Sequence, residues 1–342
     1  PKGALHAHRV LLGHLPGMRI THDGLDRADD RLWTPSDWAW AGGLLNCLLP
    51  GLALGVPVVF GPFQPFDPDA AFALIGKAAV RNAFLPATAL RMLRAAGKRG
   101  HATLRTIGSA GESLGRETWE WAKRDLGLTV NEFYGQTECN YVVGASAALG
   151  VSAAGVMGRA LPGHAVAIVG PEGERLPPAT AGEIGIRRPD PAMFLEYWRD
   201  PKATAAKFRG DWMLTGDRAT QDRDGMIRFI GRNDDIITSA GYRIGPAEIE
   251  DCLATHPAVA IAAAVGKPDA LRTEIVKAFV VLNRNFSPSP QLAEEIRLFV
   301  RTRLSAAEYP REIAFVDAIP LTTSGKVIRR EFRERARRET EA

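Results

Sequence analysis

Cysteine is nearly absent from the 342 residues. Cys47, Cys139 and Cys252 are odd in number and far apart, which excludes a disulfide framework and fits a reducing, cytoplasmic compartment. Charge of one sign is lacking too: 43 Lys and Arg oppose 39 Asp and Glu, for a formal net charge of +4. Residues 329–342 hold six Arg and four Glu, so this tail alone supplies +2 of it. Such a balance reads as a solvated helix face, not as a nucleic-acid surface. The longest apolar run, 44–60, is interrupted by Pro50, Gly51, Gly55 and Pro57 and is shorter than the ~20 residues of a membrane span. It reads as a buried helix turning into a buried strand. Internal repeats, low-complexity tracts and a signal-peptide pattern are missing, and Pro1-Lys2-Gly3 reads as the middle of something. With 46% hydrophobic and 24% charged residues, disorder is excluded. At about 150 residues per domain, the length suggests about two domains with ample cores.

The first 150 residues alternate short apolar runs (56–60, 82–85, 106–110, 130–134) with helical patterns (69–78, 88–96, 116–126). Strand–helix alternation predicts a parallel sheet covered by helices, with ligands at the carboxyl ends of the strands. Two loops fall there, 108–112 and 134–138. After about Ala154 the texture changes to short strands (165–169, 183–187, 226–230) between Pro/Gly turns, with Asp222-Arg223-Asp224-Gly225 as a hairpin signal. This predicts a small antiparallel, barrel-like unit over 155–233. A compact α+β domain is expected over 234–342, with a helix from Pro246, strands at 259–265, 276–282 and 312–316, and a helix at 292–304.

Taken singly, the polar motifs are weak, because Gly-rich turns are structural more often than not. Their order carries the signal: Lys2-Gly3; then Gly108-Ser109-Ala110-Gly111-Glu112; then Tyr134-Gly135-Gln136-Thr137-Glu138; then Thr215-Gly216-Asp217; then Gly231-Arg232-Asn233-Asp234; then Gly325-Lys326. That series resembles the adenylate-forming superfamily. Ser239-Ala240-Gly241-Tyr242-Arg243, Tyr309-Pro310-Arg311 and the segment 319–326 bring it closest to the acyl-CoA synthetase branch, the medium-chain type above all.

The resemblance implies an α/β fold of the acetyl-CoA synthetase kind: part of an N-terminal adenylation domain (1–154), its β-rich subdomain (155–233) and a mobile C-terminal domain (234–342). It implies an ATP-dependent joining of a carboxylic acid to AMP, followed by thioester formation with coenzyme A. A carboxylate is a poor electrophile and its attack on a phosphate brings anions together, so cations and hydrogen-bond donors are needed. Glu138 would hold Mg²⁺, Thr137 would meet the α-phosphate, and Lys326 would bridge the acid and the phosphate. Lys2, Gly111, Glu112, Ser113, Tyr134, Gly135, Gln136, Asp217 and Arg232 would bind the nucleotide, with Asp217 on the ribose hydroxyls and Tyr134 offering an aromatic face to the base. Asp234 corresponds to the hinge of relatives. Ala240, Gly241, Tyr242, Arg243, Arg272, Tyr309, Pro310 and Arg311 would contact coenzyme A. Trp40, Ala41, Gly42 and Gly135 would line the acyl pocket, and glycine at 135 would leave room for a medium-chain or aromatic acid instead of acetate. The implied partners are small molecules, the acid and coenzyme A, with a homodimer as a candidate assembly. His6, His8 and His14 have no clustered Cys or carboxylate partners and do not read as a metal site.

One departure stands at the front. Relatives carry a Ser/Thr- and Gly-rich phosphate loop just before Pro-Lys-Gly, and here that loop and a further upstream region have no counterpart. The expectation is the rear part of a longer synthetase that binds nucleotide poorly and is inactive alone. Two further readings stand beside the ligase: an adenylating enzyme that loads a carrier protein, and a non-catalytic remnant.

Overall fold

A computed structural model describes residues 2–61, 66–99, 103–305, 307–320 and 327–341. Lys326 and the segment 321–325 lie outside the described residues. Two compact units form, Pro1–Phe229 and Ile230–Ala342.

In the first unit, β1 (Ala4–Leu5) and α1 (Arg9–Thr21) lead into a seven-stranded sheet. Its strands are β2 (Leu32–Trp33), β3 (Val58–Val59), β4 (Asn82–Phe84), β5 (Thr106–Ser109), β6 (Val130–Gln136), β7 (Asn140–Gly144) and β8 (Arg159–Ala160), in the order β3-β2-β4-β5-β6-β7-β8. The pairs from β3 to β6 are parallel, as the alternation predicts. Beyond β6 the sheet continues as an antiparallel hairpin. Side chains alternate between its faces. Ala83, Ile107 and Val130 pack into one core with helices α4 (Pro68–Lys77), α5 (Ala87–Ala95) and α6 (Arg116–Trp121). Phe84 and Phe133 point the other way, toward Met18 of α1. After α2 (Ala41–Gly43), the run 44–60 is helical and then extended, through a π-helical turn (Leu44–Leu48) and α3 (Leu49–Leu54) to β3. It is not buried throughout: Leu52 and Phe60 are about two-thirds exposed, at 65% and 66%.

A second sheet holds β9 (Val166–Val169), β10 (Gly182–Arg187), β12 (Phe208–Arg209), β13 (Trp212–Gln221) and β14 (Ile227–Arg232), while β11 (Glu196–Tyr197) pairs with β1. The expected turn at 222–225 is present: the Asp222 carboxylate accepts from the amides of Asp224 and Met226. Asp67-Pro68 and Asp200-Pro201 open α4 and α7 (Pro201–Ala206) by one device. The Asp side chain caps an orphan amide while Pro fills a position that needs no donor.

The second unit has β15 (Ile237–Ser239), β16 (Tyr242–Ile244), β17 (Val259–Asp269), β18 (Thr273–Leu282) and β19 (Glu312–Phe315), with α8 (Pro246–Leu253) and α9 (Pro290–Arg301) packed into one core. The tail is helical, α10 (Arg329–Glu341), but it is not simply a solvated face. Phe332 and Ala336 are buried, Phe332 stacks on Phe279 at 4.4 Å, and Glu339 pairs with the buried Lys277. Six Arg hid this face because the two apolar residues that dock it are few.

The bend from β6 into β7 depends on Gly135. An ideal Cβ there would fall 1.2 Å from the carbonyl oxygen of Asn140, so the glycine has a backbone reason independent of any acyl pocket. Gly135→Ala must push β7 aside and is expected to cost about 2–4 kcal/mol. Urea denaturation checks this, and a loss under about 0.5 kcal/mol refutes the close approach.

Two of the buried histidines of the first unit, His14 and His22, are fully enclosed. His14 meets Asn140 at 2.6 Å and His22 meets Thr106 at 2.9 Å. Burial, with His164 beside one and Arg105 beside the other, holds each at a pKa of about 3 against 6.5 ordinarily. Unfolded histidine takes up a proton below pH 6.5 that the folded chain refuses. Stability is therefore full above that pH and falls as pH drops through the window down to about 3. Each residue should contribute a loss approaching 1.4 kcal/mol per pH unit. Urea melts at about pH 7 and about pH 5 should show this slope, and a His14→Gln/His22→Gln variant should flatten it. An unchanged slope in that variant rejects the assignment.

Candidate active site

The parallel order of β4, β5 and β6 brings three loop origins side by side at one sheet edge. After β5 the chain turns at Gly111, whose φ of +98° is open to glycine. The Glu112 carboxylate accepts from the Thr88 hydroxyl and from Arg91 at 3.0 Å, and Arg91 also donates to the Ser113 carbonyl at 2.6 Å. Glu112 thus anchors the loop to α5, which leaves Gly111-Glu112-Ser113 to present backbone.

After β6, the Tyr134 hydroxyl donates to Asp217 Oδ2 at 2.6 Å, and Gln136 Nε2 donates to the same oxygen at 3.1 Å. Asp217 is only 8% exposed. Burial, then the Asp217 charge, pushes the Tyr134 phenol well above its ordinary pKa, so it remains a donor. Lys207 Nζ closes the node on Gln136 Oε1 at 3.3 Å and on the carbonyls of Leu214 and Thr215. The Asp217 position is set by β13, whose Gly216 amide is held by Glu183 at 2.7 Å.

Thr137 is exposed and Glu138 half-buried in the turn between β6 and β7. His6 Nε2 donates to the Thr137 carbonyl at 2.6 Å, the Phe194 amide donates to the Glu138 carbonyl at 2.7 Å, and the Tyr197 hydroxyl donates to Glu138 Oε1. Lys2 Nζ lies 4.8 Å from the Tyr197 ring centroid. A carboxylate with one oxygen engaged, beside an exposed hydroxyl, suits a hard cation shared with phosphate oxygens, so these residues fit Mg²⁺. His6, Tyr197 and Lys207 escaped the sequence reading. Each touches the site through a long-range pairing, and only the aromatic pair Tyr197-Trp198 offered a local signal.

Trp40 is 53% exposed, so it is not a core residue. It precedes α2, where a Cβ on Gly42 would lie 3.3 Å from the Phe84 ring at the end of β4. Gly42 thus lies against the end of β4 and Gly135 near the end of β6, with β5 between the two strands.

In the second unit, Arg232 ends β14 and Asp234 lies in a 3₁₀ turn (Asn233–Asp235), both exposed. Ala240 and Gly241 form the β15–β16 turn with φ of +48° and +84°, and a Cβ on Gly241 would meet open space. The Ala240 amide donates to the Arg272 carbonyl at 2.9 Å, which joins two of the expected coenzyme A segments. Tyr242 and Arg243 are exposed. The Arg311 amide bonds the Val276 carbonyl of β18, the strand that follows Arg272. Tyr309 and Pro310 are buried, with the Arg311 guanidinium 4.4 Å from the Tyr309 ring centroid. Tyr309 thus packs the core and supports Arg311.

Residues 1–198 match the family model described as AMP-binding enzyme, and residues 248–326 match AMP-binding enzyme C-terminal domain. The chain is 36% identical over 343 residues to an acetyl-coenzyme A synthetase of Bacillus subtilis, covering 96% of this chain and 58% of that protein. It is 38% identical to the mitochondrial acyl-coenzyme A synthetase ACSM2B of Homo sapiens, covering 98% of this chain and 59% of that protein. The chain therefore spans less than two thirds of the length of these curated relatives. The crystal structure of the anthranilate CoA ligase AuaEII with anthranoyl-AMP superposes with a TM-score of 0.89 at 28% identity, over 100% of this chain and 66% of that one. With the fold, the loop placement and both family models in agreement, the chain belongs to the AMP-binding enzyme family.

Proposed function

We propose that the protein of which these residues are part is an AMP-forming acyl-CoA ligase. The carrying observation is the node of Tyr134, Gln136 and Asp217 set beside Thr137 and Glu138, at the carboxyl ends of the parallel strands. In the first half-reaction a carboxylate oxygen attacks the α-phosphorus of ATP. The bond from that phosphorus to the bridging oxygen breaks, and pyrophosphate leaves. In the second, the coenzyme A sulfur attacks the acyl carbon, the thiol proton passes to solvent, and the carbon–oxygen bond to AMP breaks.

Each residue has a role that its setting supports. Asp217 is already organised by two donors, so it receives the ribose hydroxyls with little reorganisation. The backbone of Gly111-Glu112-Ser113 lines the base, beside the Tyr134 ring. Thr137 offers its hydroxyl to the α-phosphate, and Glu138 holds Mg²⁺, which when bound neutralises phosphate charge. Lys2 and Arg232 add cationic contacts to the nucleotide. Lys326 brings a point charge to the acid and the α-phosphate when the C-terminal unit turns about Asp234. The turn at Gly241, with Arg243, Arg272 and Arg311, receives coenzyme A in the second orientation.

For the acid we favour a medium-chain or aromatic compound. No side chain projects from position 135, Ala41 and Gly42 are small, and Trp40 is accessible. The likeness to an anthranilate CoA ligase supports this class, whereas the likeness to an acetyl-coenzyme A synthetase favours acetate. Hydroxamate trapping by the full-length natural protein separates the two. Octanoate or benzoate should exceed acetate in kcat/KM by at least about tenfold, and acetate as the best acid overturns the assignment. Lys326→Ala should slow adenylate formation by about 100-fold or more while sparing thioester formation from supplied acyl-AMP. Equal loss in both half-reactions contradicts the role of Lys326.

A further inference from the structure

The exchange between Glu138 and its surroundings involves a residue to which no role has been given. Tyr197 is 4% exposed, and its hydroxyl donates to Glu138 Oε1. Among the described residues no donor meets Oε2. The main chain of Glu138 is fixed independently by the Phe194 amide, three residues before Tyr197. One short segment therefore holds both the backbone and the carboxylate of Glu138.

That segment is itself braced. β11 pairs with β1 in the register Ala4 with Tyr197 and Leu5 with Glu196. The Leu195 and Trp198 amides bond the carbonyls of Leu5 and Gly3, each at 2.7 Å. The Tyr197 amide bonds Thr204 Oγ1 at 2.9 Å, its ring lies 4.9 Å from that of Phe194, and Lys2 covers a ring face. A phenol so confined has little freedom to rotate away from its acceptor.

We propose that Tyr197 is a positioning residue for Glu138, holding Oε1 so that Oε2 is presented to the divalent cation that accompanies the nucleotide. The inference rests on the assignment of Glu138 above. The bond draws some negative charge from Oε1, and the gain is in orientation: a carboxylate with a fixed oxygen loses less freedom when it meets the ion. Phenylalanine keeps the ring, its packing and the Lys2 contact, and removes only the hydroxyl.

The test measures Mn²⁺ binding to the full-length protein by electron paramagnetic resonance, with and without ATP. Tyr197→Phe should weaken ATP-dependent Mn²⁺ binding by about tenfold, while ATP affinity without metal and the melting temperature stay close to wild type. In a Glu138→Gln background the same substitution should change Mn²⁺ binding by less than about twofold, because the acceptor charge is gone. Wild-type Mn²⁺ affinity in Tyr197→Phe, or an equal loss in both backgrounds, overturns the role of Tyr197 alone. Mn²⁺ binding indifferent to ATP or to Glu138→Gln overturns the assignment of Glu138 and the inference with it.

Discussion

A buried carboxylate must be satisfied where it sits, and Asp217 is satisfied from another sheet. It stands on β13, while its donors Tyr134 and Gln136 stand at the end of β6. Desolvating this charge without those donors would cost several kcal/mol, of order 3–5. The node therefore ties the β-rich part of the first unit to the edge of the parallel sheet. Once Asp217 and Tyr134 are joined, the turn carrying Thr137 and Glu138 has a defined starting point. Lys207 completes the arrangement by neutralising the carbonyl-rich side of Gln136, Leu214 and Thr215.

The same turn is held from its other end by pieces far away in the chain. His6 grips the Thr137 carbonyl across 131 residues, and the ribbon of β1 and β11 delivers Tyr197 to Glu138, with Lys2 over the Tyr197 ring. Gly135 lets the β7 backbone come close enough for the turn to close. Tolerance is low here because contacts to backbone, not to side-chain ends, set the geometry. In the second unit the corresponding economy is in backbone bonds: the Ala240 amide on the Arg272 carbonyl joins two segments just before β18, and the Arg311 amide on Val276 ties a third to β18.

Much of the fold was legible along the chain. The apolar runs at 82–85, 106–110 and 130–134 became β4, β5 and β6, because buried parallel strands show as short continuous apolar stretches. The Asp222–Gly225 signal became the β13–β14 turn, since an Asp that caps two amides is a local device. Less was legible where local pattern and burial disagree. Leu52 and Phe60 lie in the most apolar stretch yet are exposed, and the Arg-rich tail docks through Phe332 and Ala336. Of the candidate site, the motif order pointed to the loops that meet at the strand ends. The braces His6, Tyr197 and Lys207 carried no comparable signal, because a hydrogen-bond partner more than 50 residues away leaves no periodicity.

Residue type and order alone determined the alternation of strand and helix, the turn glycines and the family of the chain, because these depend on propensity, spacing and motif chemistry within a few residues. Tertiary structure alone decided which oxygen of Glu138 is engaged, that Tyr134 aims its hydroxyl at Asp217, and that Gly135 answers to the Asn140 carbonyl. It also decided that Trp40 faces outward while Tyr309 packs inward. These are questions of direction and distance between segments remote in sequence, and they are settled only when both backbones are in place.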